Sequence, residues 1–199
     1  MLELISLRTA LVGPISLRVA AGECVAIHGP SGSGKTRLLR AIADLDPHEG
    51  EMRLDDTPAG RMTGPEWRRA VQLLPADPLW WEPTVSAHFT RFDAAAAVAL
   101  GLPPESGAWP VDRLSSGERQ RLALLRALDR EPRVLLLDEP TANLDETSRH
   151  RVEALLARYR QDKGAAVIWV SHDAEQRARV ATRKLRLRDR ILVPEQEDT

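Results

Sequence analysis

The sequence predicts an α/β fold with a mainly parallel sheet at its core, an antiparallel β-layer before that sheet and a short inserted helical subdomain. Three apolar runs carry no polar side chain on either face, as in the buried strands of parallel sheets: 24–27, 134–137 and 166–170. A stretch with helical character follows each run, at 36–42, 146–162 and 174–181. Strands that alternate with helices in this way are typical of βαβ units, which make a sheet parallel.

Two further strands are expected before the first apolar run. In residues 2–8 the side chains alternate between the two faces of an extended chain, and residues 15–19 show the same alternation. This pattern predicts an antiparallel pair of strands. Residues 51–54 form a possible edge strand, and residues 71–74 form a stronger strand candidate. A short strand pair around 188–189 completes the predicted domain.

The segment 77–113 interrupts this α/β rhythm. It contains five prolines, three tryptophans and short helical stretches near 84–92 and 94–100. This composition predicts an inserted helical subdomain. We assign a single domain to 1–199, with a core formed by 1–76 and 131–199 and a helical subdomain formed by 77–130.

Composition limits the class of protein and its partners. The chain has 199 residues, 43% of them hydrophobic, which suits one globular domain. Lys plus Arg number 28 and Asp plus Glu number 29, without a basic stripe, so we expect no nucleic-acid partner. The single cysteine, Cys24, cannot form an internal disulfide, which fits a reducing compartment. We expect it to be a small residue of the hydrophobic core. No apolar run approaches the ~20 residues that span a bilayer, so we expect a cytoplasmic chain.

A glycine-rich loop joins the first apolar run to its helix and matches the phosphate-binding pattern GxxxxGK[ST] at every fixed position. Its residues are Gly29, Pro30, Ser31, Gly32, Ser33, Gly34, Lys35 and Thr36. Such a loop aims consecutive backbone N–H groups at one anion, beside the positive end of the following helix. Lys35 would bridge the β- and γ-phosphates and the Thr36 hydroxyl would hold Mg²⁺, so the expected ligand is a nucleoside triphosphate. The alternative is a glycine-rich surface turn.

Polar residues at the ends of two buried strands are the candidate catalytic groups. Asp138 can hold the Mg²⁺ hydration shell opposite Thr36, since a metal ligand must stay ionised. Glu139 points differently and can orient or deprotonate the attacking water. His172 can donate to a γ-phosphate oxygen or link to Glu139. These three residues alone could equally form a metal site or an ion-pair cluster, and the phosphate loop favours the nucleotide interpretation.

A second anion site is expected at the start of a helix over 116–128. Ser115 or Ser116 can cap this helix, and Glu118 falls in its first turn. The Ser115 side chain and the backbone amides of Ser116 and Gly117 can bind an anion at the positive helix end. An ordinary helix cap is the alternative.

With these motifs in place, the chain resembles the ATP-binding subunits of ABC transporters, which are P-loop NTPases of the ABC-ATPase type. The phosphate loop corresponds to Walker A and residues 134–139 to Walker B. Residues 114–121 resemble the family signature, usually LSGGQ followed by xR. Residues 140–145 are similar to the D-loop and residues 170–173 to the H-loop. These motifs occur in the family's order.

The resemblance implies a homodimer in which ATP lies between the Walker A loop of one subunit and the signature of the other. The signature residues in this role are Ser115, Ser116, Gly117 and Glu118. It also implies Mg·ATP hydrolysis with Glu139 as base, His172 as γ-phosphate contact and Lys35 stabilising charge. The implied partner is a separately encoded transmembrane permease, which places the chain on the cytoplasmic face of the membrane.

The sequence departs from the family pattern at several positions. Ala76 stands where a glutamine normally contacts Mg²⁺ and couples to the membrane partner, and Asp77 is a possible substitute. No aromatic residue near 8–12 is available to stack on adenine, so either Arg8 stacks there or the base is held loosely. Arg37 replaces the second hydroxyl residue after Walker A, which alters an α-phosphate contact. The signature's first glycine is Ser116.

Trp80 and Trp81 have two possible roles. They either form an exposed patch that receives a coupling helix of the permease or pack the helical subdomain against the core.

At a finer level, residues 134–173 are similar to the ATP-binding subunits of small metal (iron) exporters. Two other functions stay open: a soluble ABC ATPase in DNA repair or translation, and a regulatory cassette with little turnover. The transported substrate and its direction cannot be predicted from this chain, because the permease selects the cargo.

Overall fold

The computed structural model describes residues 1–195 and contains ten strands and six α-helices within that range. The strands are β1 (Leu2–Arg8), β2 (Ile15–Val19), β3 (Cys24–His28), β4 (Glu49–Leu54), β5 (Thr57–Pro58), β6 (Val71–Leu74), β7 (Val134–Asp138), β8 (Ala166–Val170), β9 (Arg183–Arg188) and β10 (Ile191–Pro194). The helices are α1 (Lys35–Ile42), α2 (Gly64–Ala70), α3 (Ala94–Ala99), α4 (Ser116–Leu128), α5 (Glu146–Lys163) and α6 (Ala174–Val180).

A six-stranded sheet in the order β10-β9-β3-β8-β7-β6 forms the centre of the molecule. All neighbours in it are parallel except β10, which pairs antiparallel with β9. Every residue of β7 and β8 is buried. Their side chains alternate between two hydrophobic clusters, so that Leu136 packs on one side of the sheet and Leu135 and Leu137 on the other. The predicted mainly parallel core is therefore confirmed.

A four-stranded antiparallel sheet in the order β2-β1-β4-β5 packs against one face of the central sheet. The predicted pair of residues 2–8 and 15–19 is present, with Leu4 opposite Leu17. The expectation that residues 51–54 form an edge strand is wrong. That segment lies within β4, which pairs with β1 on one side and with the two-residue β5 on the other.

The sequence analysis missed helix α2, which precedes β6. Thr63 begins it with a capping box, in which the Thr63 side chain accepts from the Glu66 backbone and the Glu66 carboxylate accepts from the Thr63 N–H. Pro65 lies in the first turn, where its missing N–H costs no hydrogen bond. The pattern Thr-x-x-Glu with this proline was the available signal. Trp67 is buried and anchors the helix through a 2.8 Å hydrogen bond to the Ile42 carbonyl.

The predicted helix near 84–92 is wrong, because only Ser86–His88 forms a single 3₁₀ turn there. The backbone instead forms a bridge between Thr84 and Pro110, and the Val85 N–H donates to the Trp109 carbonyl. These amides and carbonyls are therefore not available for a helix. Helices α3 and α4 follow the expected positions, and the segment packs into the same hydrophobic cluster as one face of the central sheet.

Cys24 is fully buried at the start of β3, and burial raises the pKa of its thiol to about 11. Both properties keep the reactive thiolate scarce in the folded protein. We expect native protein to resist a thiol-specific reagent such as DTNB at pH 8 and unfolded protein to react with one equivalent. Rapid labelling under conditions where circular dichroism shows a folded chain would contradict this placement.

Candidate active site

The phosphate loop runs from the end of β3 to the start of α1. Gly34 has a φ of 102°, and a Cβ on it would lie 2.6 Å from the Val12 side chain. Any other residue there would be strained and would clash, which is why the pattern demands glycine. Ser31, Gly32 and Thr36 are at least partly accessible, so the concave side of the loop is open to a ligand.

Lys35 is 7% exposed, and its ammonium lies across the loop. Its Nζ donates to the carbonyl oxygens of Gly29 and Pro30, at 2.9 Å each. Burial lowers the Lys35 pKa, while the negative charges of Glu139 and Asp138 oppose that effect. The two carboxylates and the ammonium therefore share one electrostatic environment.

Thr36 and Asp138 meet at the foot of the loop although 102 residues separate them. The Thr36 hydroxyl donates to Asp138 Oδ2 at 2.8 Å. Burial raises the pKa of Asp138, and the hydrogen bond from Thr36 counteracts it. A hydroxyl and a carboxylate oxygen suit a hard cation such as Mg²⁺. Residues 1–195 contain no cluster of three or more His, Cys, Asp or Glu side chains that could cage a metal.

Glu139 and His172 form a pair beside the loop. The register places Asp138 opposite Val170, so the residues that follow both strands lie at the same sheet edge. The Nε2 atom of His172 lies 3.2 Å from Glu139 Oε1. Glu139 has a φ of 49°, an uncommon backbone conformation for a residue with a side chain. Such local strain is typical of functional sites, where the surrounding structure fixes it.

The signature begins α4 as a capped helix. The Ser115 side chain accepts from the Glu118 N–H at 3.3 Å, and the Glu118 carboxylate accepts from the Ser115 N–H at 2.9 Å. Ser115 and Ser116 are exposed. A Cβ on Gly117 would lie 3.3 Å from the Leu144 side chain, so the signature packs closely on the segment after Walker B. The predicted helix 116–128 is confirmed at both ends.

The departures from the family pattern have distinct surroundings. The Arg37 side chain pairs with Asp46 at 2.8 Å, which directs its guanidinium to a neighbour on the same surface. Ala76 and Asp77 are both exposed on the connection after β6. Arg8, the candidate for stacking on adenine, is exposed as well.

Sequence reasoning missed a buried polar residue behind the catalytic pair. Gln176 in α6 is 1% exposed and contacts Thr141, Ser171 and Glu153 through its amide. The spacing of Asp173 and Gln176 matches a helix cap, and the Gln176 N–H does donate to Asp173. That pattern does not predict that the Gln176 side chain is buried.

The family model described as "ABC transporter" matches residues 12–142. The chain belongs to this family. Two of its relatives are an aliphatic sulfonates import ATP-binding protein of Nocardia farcinica, at 42% identity over 88% of this chain and 70% of the relative, and one of Granulibacter bethesdensis, at 40% over 94% and 74%. A solved structure of the ATP-binding cassette MJ0796, described as dimeric and bound to ADP and Pi, superimposes with a TM-score of 0.83. It shares 24% identity and covers 99% of this chain and 98% of that chain.

These matches confirm the predicted fold and the function as an ATP-binding ABC transporter subunit with ATPase activity. Both sulfonate relatives are import subunits, so they give no support to the finer resemblance to iron exporters. Within residues 1–195, no helix has both the length and the apolarity needed to cross a membrane.

Proposed function

We propose that this ABC ATPase hydrolyses Mg·ATP in sites shared by two copies of the chain and so drives a separately encoded membrane permease. One observation carries the proposal: the Thr36–Asp138 and Glu139–His172 pairs converge beside Lys35 at the end of the phosphate loop. Each pair has the chemistry that a different part of phosphoryl transfer requires.

The phosphate loop and Lys35 bind and orient the triphosphate. The loop amides and the positive end of α1 attract the phosphate oxygens, and the Lys35 ammonium stabilises the charge that grows on them. Thr36 and Asp138 would hold Mg²⁺, which neutralises phosphate charge when bound. The fold already brings these groups together at the phosphate loop, and on ligand binding they would exchange their present hydrogen bonds for contacts with phosphate and Mg²⁺.

Glu139 is placed to accept a proton from the attacking water. Its carboxylate is partly exposed, and Glu139 directly follows Asp138, which meets Thr36 of the phosphate loop. His172, 3.2 Å away, can donate to a γ-phosphate oxygen or orient the Glu139 carboxylate. His172 can therefore assist the base or contact the phosphate from the same position.

The signature supplies the second half of each site. Ser115, Ser116 and the start of α4 form an exposed anion cradle in addition to the phosphate loop. One triphosphate does not need two cradles from one chain, whereas two chains related by a twofold axis would form two composite sites. The dimeric state named for the MJ0796 cassette supports this arrangement.

The exposed residues Leu79 and Trp81 are the proposed permease contact. Their exposed fractions are 76% and 68%, and the Arg126 guanidinium lies 4.9 Å from the Trp81 ring centre. Trp80 is different in burial, because it is partly buried against the hydrophobic cluster of the helical segment, although both rings pack edge-on against His88 and both lie near the Arg126 guanidinium. We therefore propose the coupling role for Trp81 and the packing role for Trp80.

We expect Trp81→Ala to retain parental ATP hydrolysis in the isolated protein and to lose most membrane association, because an exposed aromatic anchor contributes mainly to binding. Co-sedimentation with membranes that contain the permease measures the effect. Leu45→Ala, which truncates an exposed residue elsewhere, is the control. Unchanged co-sedimentation of a normally stable Trp81→Ala protein would remove this residue from the interface.

The names of the relatives point to import of an aliphatic sulfonate as the process driven. Deleting the gene in its source strain should abolish growth on an alkanesulfonate as the sole sulfur source and leave growth on sulfate intact. The parental gene should restore growth and the Glu139→Gln gene should not. Normal growth of the deletion strain would reject this substrate class.

If the purified protein forms ATP-dependent dimers but shows no measurable hydrolysis, this result would instead favour the regulatory cassette.

A further inference from the structure

Gln176 connects the two segments that carry the proposed catalytic pair. Its amide nitrogen donates to Thr141 Oγ1 at 2.8 Å, and its carbonyl oxygen accepts from Ser171 Oγ at 2.9 Å. Thr141 lies two residues after Glu139, and Ser171 immediately precedes His172. We infer that Gln176 is a positioning residue that fixes the distance between Glu139 and His172.

The main chain of the same residue adds a second restraint on His172. The Gln176 N–H donates to Asp173 Oδ1 at 2.9 Å, and the Asp173 N–H donates to Ser171 Oγ at 3.1 Å. His172 therefore lies between two residues that are both tied to Gln176. Its backbone is held on each side while its side chain stays free to contact Glu139 or a phosphate.

The chemistry of the surroundings selects an amide at this position. The amide nitrogen has a second acceptor in Glu153 Oε1, at 2.9 Å. Burial acts to raise the pKa of Glu153, but hydrogen bonds from Arg179 and Gln176 outweigh it and hold the pKa below its ordinary value. The site thus presents an ionised carboxylate on one side and two hydroxyls on the other. Glutamine satisfies all of them, whereas a carboxylate would face the negative charge of Glu153.

The first test is Gln176→Glu, which replaces the donor to Glu153 with a second carboxylate. We expect kcat for ATP hydrolysis to fall about tenfold, because small displacements of catalytic groups have large rate effects. The KM for ATP should change less than about twofold, since no Gln176 contact reaches the phosphate loop. Ala178→Glu adds the same charge at an exposed position of α6 and should keep the parental kcat.

The decisive variant exchanges the two groups. Gln176→Glu combined with Glu153→Gln again places one amide and one carboxylate together, with the donor and acceptor reversed. We expect this double variant to recover kcat to within about twofold of the parent, which a loss of general stability would not produce. Parental kcat in Gln176→Glu, or a folded double variant that is no faster than the single one, would overturn the inference.

Smaller changes keep the inference testable if Gln176→Glu does not fold. Thr141→Val and Ser171→Ala each remove one hydroxyl from the network, and each should lower kcat more than it raises KM. Parental kcat in both would overturn the positioning role.

The inference rests on the proposed roles of Glu139 and His172, so Glu139→Gln is measured in parallel. Parental turnover in Glu139→Gln would reject the proposed function, whereas parental turnover confined to the network variants would reject only this inference.

Discussion

Glu139→Gln is expected to lower the rate of ATP hydrolysis at least ~100-fold while ATP binding is retained, because general-base catalysis contributes that much or more. The amide can still hold a water molecule but cannot accept its proton. The groups that bind triphosphate are untouched, including Lys35 and the Thr36–Asp138 pair. Bound ATP should therefore accumulate and keep two copies of the chain together. Phosphate release measures the rate, and light scattering after size exclusion measures the dimer.

Glu175→Gln is the matched control, because it makes the same change at an exposed position of α6. This variant should hydrolyse ATP at the parental rate and should dimerise only transiently. Parental hydrolysis by the Glu139→Gln protein would show that another group accepts the proton. A variant that loses hydrolysis but stays monomeric with ATP and Mg²⁺ would contradict the shared site.

Much of the active site could be predicted because its signals are local in sequence. The phosphate loop needs glycine at Gly34, where φ is positive and the space for a Cβ is taken by Val12. Asp138 ends a fully buried strand and Glu139 follows it, and such strands end at one edge of a parallel sheet. The parallel order also places the phosphate loop, which follows β3, at the sheet edge where Asp138 lies.

The parts that escaped prediction depend on contacts that the local sequence pattern does not show. Residues 84–92 have helical character, but their backbone groups are used by the bridge to Pro110. Gln176 reads as a surface residue in the first turn of a helix, and only the folded chain brings Thr141 to it from 35 residues away. Arg37 follows the phosphate loop directly, yet its side chain is drawn to Asp46. In each case tertiary contacts decide the conformation over local preference.

Mixing two inactive variants is expected to restore hydrolysis if two chains share each site. Lys35→Met removes the ammonium from the phosphate loop. Gly117→Asp places a carboxylate at the start of α4, where the signature would meet phosphate. Its Cβ lies 3.3 Å from the flexible Leu144 side chain, and an acidic residue suits the first helical turn, so the protein should fold. Each variant alone should hydrolyse ATP at about 1% of the parental rate or less.

The composite arrangement fixes the size of the recovery. Random association of equal amounts makes about half of the dimers mixed, and each mixed dimer has one site with both substitutions and one with neither. With independent sites, the mixture should therefore reach about a quarter of the parental rate per chain. A chain that carries both Lys35→Met and Gly117→Asp, mixed with the Lys35→Met chain, forms no complete site and should stay inactive. If the first mixture is also inactive although mixed dimers form, each chain must complete its own site. The signature would then act on something other than its partner's nucleotide.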